Sequence, residues 1–211
     1  MRPWAWTLAG SVAALAAVFA CTGPGVAKRE LGRADYPDLA ALGADQLGKQ
    51  KANLILAGTK IPVDVEEERD ASRYKILVLA HDETLEEESY VVGESEFLFE
   101  SLSGERFQPP IPIVRFPFKV GDGWDWTGEA YLGPNGRAAT AKVTTNRDQL
   151  NLASGNLDTV QVSINLVVQT SKTVNADRKL QFWIKPKAGI VRREFGSSSL
   201  REPWAAEDGE Q

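Results

Sequence analysis

The chain has 211 residues, of which 43% are apolar and 25% are charged, and its formal net charge is −5. This composition is ordinary for a globular protein, and the excess of acidic residues excludes the basic surface by which proteins bind nucleic acid. With one cysteine and one histidine, the chain has neither a disulfide framework nor the residues for a zinc site built from these two types.

The first twenty residues differ from the rest of the chain. Positive charge from Arg2 and the amino terminus precedes residues 4–20, an apolar run of 17 residues without charge. This run is slightly shorter than the ~20 residues that a helix needs to cross the hydrocarbon core. A charged start, an apolar centre and a small residue at the end predict a secretory signal over residues 1–20.

The end of this signal carries a motif. Val18-Phe19-Ala20-Cys21 resembles a lipobox, the sequence at which bacterial lipoprotein processing attaches a diacylglycerol to the cysteine and cleaves before it. Phe19 is bulkier than the usual residue there. The resemblance implies that Cys21 is lipidated, and more than one acyl chain makes membrane anchoring stable. Thr22 is not the aspartate of inner-membrane lipoproteins, which favours the periplasmic face of the outer membrane in a Gram-negative organism.

Three other readings of Cys21 are open: an ordinary signal peptide with an incidental cysteine, an uncleaved membrane anchor, and a buried core cysteine. Lipidation is favoured because Cys21 is the only cysteine and stands at the signal boundary. The turn-prone residues 22–25 follow it. Residues 21–34 are then predicted to be a lipidated flexible tether.

The segment 35–196 is predicted to form one domain. It begins with a short amphipathic helix, capped by Asp35 or Asp38 and ending near Lys51, because its leucines recur at helical spacing. Short runs rich in strand-forming residues follow, and several alternate apolar and polar residues. The predicted strands are Ala52–Ala57, Arg73–Ala80, Tyr90–Phe99 with a bulge at Gly93, Val114–Val120, Trp124–Leu132, Arg137–Thr145, Thr159–Thr170, and two strands within Lys179–Phe195.

Seven to nine short strands and one helix predict a mostly β fold, namely a curved antiparallel sheet that forms a half-barrel or a barrel. Residues 197–211 are predicted to be a polar C-terminal tail. The acidic triplets Glu66–Glu68 and Glu86–Glu88 are interpreted as solvated turns.

Catalytic sets are missing from the sequence. His81 is predicted to be an exposed loop residue, and no nucleophile elbow accompanies it. Asp122 and Asp125 flank glycines but lack the further oxygen ligands of a calcium loop, so a turn is favoured. We therefore predict no catalytic residue, metal or cofactor, although two carboxylates that converge in space would permit a hydrolase.

Aromatic residues are concentrated on the predicted sheet. Either they pack in the core, or part of this face binds a hydrophobic ligand. The candidate ligand-binding residues are Phe116, Phe118, Trp124, Trp126 and Trp183.

Two segments, 116–126 and 182–194, resemble exported, mostly β bacterial proteins of unknown function. Those proteins are similar in outline to the LolA, LolB and LppX half-barrels, which cradle lipid or lipoprotein acyl chains. The anchor, the missing catalytic set and the aromatic sheet favour a non-enzymatic envelope lipoprotein, anchored to the membrane through Cys21, whose curved sheet binds a lipid or another hydrophobic small molecule. The resemblance implies the handling of such a ligand. The alternative is a structural or assembly lipoprotein that binds an envelope protein, and a carboxylate-based hydrolase is the third hypothesis.

Overall fold

A computed structural model describes Gly32 and residues 50–70, 72–152, 155–185, 189–196 and 198–201. The signal at 1–20, Cys21 and residues 202–211 lie outside the described residues. So do the predicted tether, apart from Gly32, and the predicted helix, apart from its last positions. Gln50 and Lys51, where that helix was predicted to end, belong to the first strand.

The described chain is all β and forms one closed antiparallel barrel of twelve strands. The strands are β1 (Gln50–Leu56), β2 (Thr59–Asp70), β3 (Arg73–Ala80), β4 (Glu83–Val92), β5 (Glu96–Leu102), β6 (Glu105–Arg115), β7 (Gly123–Leu132), β8 (Gly136–Leu152), β9 (Gly155–Gln169), β10 (Asn175–Lys185), β11 (Gly189–Phe195) and β12 (Ser198–Arg201).

Each strand pairs with its neighbours in the chain, and β1 pairs with β12 to close the sheet. The prediction of a mostly β, curved antiparallel, barrel-like fold is confirmed. Of its two forms, the barrel is the one observed, because the closing pairs run from Asn53 with Arg201 to Leu56 with Ser198. Closure leaves neither the first nor the last strand as a free sheet edge in the described barrel.

Strand β12 lies inside the segment that was predicted to be a polar tail from residue 197, so the domain extends to Arg201. A run of serines carries little strand signal. Its one large apolar side chain, Leu200, is fully buried and faces Leu54 across the β1–β12 ladder. The contact between Leu200 and Leu54 holds β12 against β1.

Successive strands run in opposite directions, so the connections between them divide between the two ends of the barrel. Because the number of strands is even, the first and the last residue of the barrel lie at the same end. The turns that follow odd-numbered strands share one end, which we call the cleft end. Gln50, Arg201 and the connections that follow even-numbered strands share the other. We call this the capped end, because the 116–122 loop between β6 and β7 packs there.

The barrel interior is filled by side chains. Alternation in β9, which overlaps the predicted strand Thr159–Thr170, places Val160, Val162, Ile164 and Leu166 in the core. Six aromatic rings pack at the centre, with centroid separations between 5.3 and 6.4 Å. They are Tyr90, Phe97, Phe99, Phe107, Phe182 and Phe195.

Two predicted strands differ from the structure. The predicted strand Val114–Val120 is wrong, because β6 ends at Arg115 and the following residues form the 116–122 loop. In Tyr90–Phe99, Gly93 lies in a turn and not in a bulge, since β4 ends at Val92 and β5 begins at Glu96. The Gly93 amide donates to the Glu96 carbonyl across this turn at 2.8 Å.

The acidic triplets are not turns. Glu66–Glu68 lie in β2 and Glu86–Glu88 lie in β4. In β4 the side chain of Glu88 has no exposed surface, so the interpretation as a solvated turn was wrong. The reason is a compensating cation from a distant strand, described below.

Candidate functional site

Four of the five predicted ligand-binding aromatics lie in or against the main core, and Trp183 lies in a second cluster. Trp124 and Trp126 hold the seam between β6 and β7. The β6 prolines have no N–H to donate, and the indole N–H groups supply bonds there. Trp124 Nε1 donates to the Pro112 carbonyl at 2.9 Å, and Trp126 Nε1 donates to the Pro109 carbonyl at 3.2 Å. Both tryptophans therefore have a structural role at this seam.

Phe116 and Phe118 belong to the 116–122 loop, and their ring centroids are 5.9 Å apart. Phe118 is buried in the main core and Phe116 packs partly buried against it. Thr145 on β8 fixes this loop, since its hydroxyl donates to the Asp122 carbonyl at 2.9 Å and accepts from the Gly121 amide at 3.1 Å. The loop thus closes its end of the barrel with packed aromatic side chains.

The same loop contains the predicted turn at Asp122, which is confirmed. The Asp122 carboxylate accepts a hydrogen bond from the Lys119 amide at 2.7 Å. This is a local turn contact.

Trp183 lies in a second, smaller apolar cluster with Leu150 and Val191. Its indole N–H donates to Asp148 Oδ2 at 2.6 Å, and the Arg192 guanidinium lies 4.6 Å from its ring centroid. The structure therefore does not bring the five aromatic residues together, and ligand binding by them stays a prediction.

The most unusual chemistry in the described barrel is a buried charged network near the cleft end. Arg193 on β11 is fully buried, and its guanidinium contacts both Glu88 and Glu86 on β4. The Nε of Arg193 donates to Glu88 Oε1 at 2.7 Å. The Tyr90 hydroxyl donates to the other oxygen of Glu88 at 2.5 Å.

Alternation explains this convergence. Residues 86, 88 and 90 point to one face of β4, and residues 193 and 195 point inward on β11. The Arg193 guanidinium lies 4.6 Å from the centroid of the Phe195 ring, so the cation rests against the aromatic core. A buried cation of this kind requires paired carboxylates.

Burial controls the protonation of this network. Loss of hydration raises the pKa of Glu88 above its ordinary value, although Arg193 and the Tyr90 hydroxyl act in the opposite direction. Burial also raises the pKa of Tyr90 well above its ordinary value, and the Glu88 carboxylate adds to this rise. For Arg193, burial lowers the pKa, but the carboxylates of Glu88 and Glu86 outweigh burial and leave it raised. Tyr90 and Arg193 are therefore fixed hydrogen-bond donors, and Glu88 is the group that can take up a proton.

A cleft of about 290 Å³ opens beside this network. Arg178 and Glu105 form a bidentate ion pair in its wall, with Nη2 of Arg178 at 3.0 Å from Glu105 Oε1. The remaining lining residues are Glu86, Leu102, Ser103, Leu132 and Phe195.

The cleft is suited to recognition by charge and apolar contact. Glu88 has no exposed surface and cannot touch a molecule in the cleft. Glu86 and Glu105 are reachable, and each is already held by an arginine. His81, the predicted exposed loop residue, is confirmed as an exposed turn residue.

Sequence reasoning missed the network. The available signal was the position of Glu88 and Arg193, which share strand faces with Tyr90 and Phe195. Within the described part of the chain, no group of three or more histidine, cysteine, aspartate or glutamate side chains could hold a metal ion. No helix among the described residues has the length and apolar character to span a membrane.

Comparison with known proteins gives similarity in outline. No family model and no curated protein matches the chain. The structure is similar to the hypothetical lipoprotein YmcC from Escherichia coli, with 11% identity over 76% of this chain and 90% of that chain and a TM-score of 0.43. It is also similar to a protein from Parabacteroides distasonis described as a lipoprotein, with 12% identity over 74% of this chain and 94% of that chain and a TM-score of 0.45.

Proposed function

We propose that this protein is a non-enzymatic lipoprotein of the cell envelope, anchored to the membrane through acylated Cys21, whose barrel is a scaffold for binding a partner protein. The observation that carries the proposal is the position of Cys21. It is the only cysteine, and it follows directly on an uncharged apolar run that ends in a small residue. With Thr22 next to it, the periplasmic face of an outer membrane is the proposed location.

Packing supports partner binding over the carriage of a lipid inside the barrel. Aromatic rings in stacked and edge-to-face contact pack within the described interior, and they occupy space that an acyl chain inside the barrel would need. Trp124 and Trp126 are engaged at the proline seam. Of the two binding roles that the sequence left open, the structural or assembly role is therefore the one we favour.

Metabolic labelling tests the anchor. Cells that express the protein are fed an alkyne fatty acid, and label and membrane fractionation are compared for the wild type, Cys21→Ser and the neighbouring control Thr22→Ser. We expect Cys21→Ser to lose the label and to leave the membrane fraction, whereas Thr22→Ser keeps both. An unlabelled wild type, or a Cys21→Ser protein that stays in the membrane, would overturn the anchor.

Native mass spectrometry tests the binding role. The protein is extracted gently and sprayed with its bound molecules. We expect no stoichiometric lipid beyond the covalent anchor. A lipid that co-purifies at one copy per chain would restore the hydrophobic-ligand hypothesis.

A further inference from the structure

We propose that the cleft end of the barrel is the docking surface, and that it takes a protein segment carrying one lysine or arginine flanked by aliphatic side chains. This inference rests on the proposed partner-binding function, since it names the surface and the chemistry of the partner.

The first observation is an apolar collar around the cleft end. Among the described residues, the large hydrophobic side chains that stand exposed are Leu56, Leu85, Leu132 and Val174, with exposed fractions between 41% and 64%. All four lie beside turns of the cleft end. Leu132 also lines the cleft, and exposed apolar side chains beside a cleft are typical of interaction sites.

Strand alternation connects Leu56 and Leu132 of this collar to the core. Leu56 stands two residues after buried Leu54 on β1, and Leu132 stands two residues after buried Ala130 on β7. Each pair shares a strand face, so the apolar lining of the barrel continues outward to its mouth. The 116–122 loop covers the corresponding position at the capped end, and the structure shows no such cover over Leu132, which is 64% exposed.

The second observation is the charge of the cleft inside this collar. Glu86, Glu105 and Arg178 line it, with Glu88 and Arg193 behind. The cleft lining thus holds two carboxylates and one guanidinium group, and the site favours an additional cation over an anion. The exposed turns around the collar carry charges of both signs, which water screens. Leu102 and Phe195 in the cleft wall offer contact to the apolar stem of a lysine or arginine.

Peptide binding tests the proposal. The probes are two fluorescent nonapeptides of sequence Gly-Leu-Ser-Leu-X-Leu-Ser-Leu-Gly, with X either lysine or glutamate. Binding to the purified full-length protein in nanodiscs is measured by fluorescence anisotropy. We expect the lysine peptide to bind and the glutamate peptide to bind at least tenfold more weakly. Equal binding of the two peptides, or no binding of the lysine peptide, would overturn the proposal.

Two charge variants separate recognition from folding effects. Glu105→Gln removes a carboxylate from the cleft and should weaken binding of the lysine peptide by roughly five- to tenfold. Arg178→Gln removes the competing cation and should strengthen it by a similar factor. A merely structural disturbance would shift both variants in the same direction, and that result contradicts the proposal.

The collar has its own matched pair of variants. Leu132→Ser at the cleft end should weaken the lysine peptide several-fold, and the exposed Lys119→Ser at the capped end should leave its affinity unchanged. Sedimentation of the detergent-solubilised protein tests whether the collar instead binds a second copy of this chain. Self-association that Leu132→Ser abolishes would assign the collar to a second copy of this chain and overturn the proposal. Because none of these readouts depends on fatty-acid labelling, failure of the docking surface and failure of the anchor are distinguishable.

Discussion

The two ends of the barrel are closed by different kinds of interaction. At the capped end, Phe118 fills the space and Thr145 ties the 116–122 loop down by hydrogen bonds. At the cleft end, the interior terminates in buried Arg193 and its two glutamates, and an open cleft lies beside them. Apolar packing thus fills one end of the described barrel with side chains, whereas an ionic closure keeps charged groups next to an accessible surface.

The largest expected effect is at the ionic end. Arg193→Met leaves Glu88 and Glu86 buried without their cation, and removing one partner of a buried pair costs about 3–5 kcal/mol. Urea unfolding should show this loss. As the control, Arg115→Met breaks an ion pair with Glu96 whose side chains are 46% and 39% exposed, and it should cost below about 1 kcal/mol. Similar losses for the two variants would contradict the distinction between the buried network and an exposed ion pair.

The capped end should depend on volume. Phe118→Ala removes a side chain that is 3% exposed and should lower the free energy of unfolding by about 3 kcal/mol or more. The half-buried neighbour Phe116, changed to alanine, should lose clearly less. If urea unfolding gives the same loss for both, the loop lies on the barrel and does not seal it.

A smaller effect is expected for the hydrogen bonds that hold the loop. Thr145→Val keeps the shape of the side chain but removes the hydroxyl bonded to Gly121 and Asp122, at a cost of about 1–2 kcal/mol. Amide hydrogen exchange at Gly121 should accelerate with it. Thr144→Val, on the opposite face of β8, serves as the control and should change neither quantity.

The smallest expected effect is a dependence of stability on pH that comes from Glu88 near the cleft end. Because burial raises the pKa of Glu88, the folded protein binds a proton at a pH at which the unfolded chain does not. This contribution to stability is present below the ordinary pKa and is lost as pH rises through the raised pKa. Glu88→Gln should therefore lose a stabilisation that the wild type gains as pH falls from 7 towards 5, at most about 1.4 kcal/mol per pH unit. The Tm of both proteins across this range checks the sign, and parallel curves would contradict it.

Sequence patterns predicted much of the barrel where the pattern was local. The predicted strands Trp124–Leu132 and Thr159–Thr170 correspond closely to β7 (Gly123–Leu132) and β9 (Gly155–Gln169). Strand β6 was missed because three prolines between positions 109 and 112 argue against a strand, and the tryptophan bonds that replace its ladder come from β7. Strand β12 was missed because only Leu200 marks it.

The charged network was missed for a related reason. Three consecutive glutamates indicate solvent exposure when they are read alone. The cation that permits burial of Glu88 lies 105 residues further along the chain, in a strand brought near only by the closed topology. Local pattern gives the face of a side chain but not its partner across a barrel.

The pairing of β1 with β12 also sets an order on how this chain can fold. Every other ladder joins neighbours in sequence and can form as a hairpin, whereas the ladder from Asn53 to Arg201 must gather both ends of the domain and is the slowest kind of contact to form. Until Ser198–Arg201 have been synthesised, β1 and β11 each present an unpaired edge that invites aggregation or proteolysis. Strand β12 (Ser198–Arg201) therefore completes the fold, because only a chain made through Arg201 can pair its first strand on both sides.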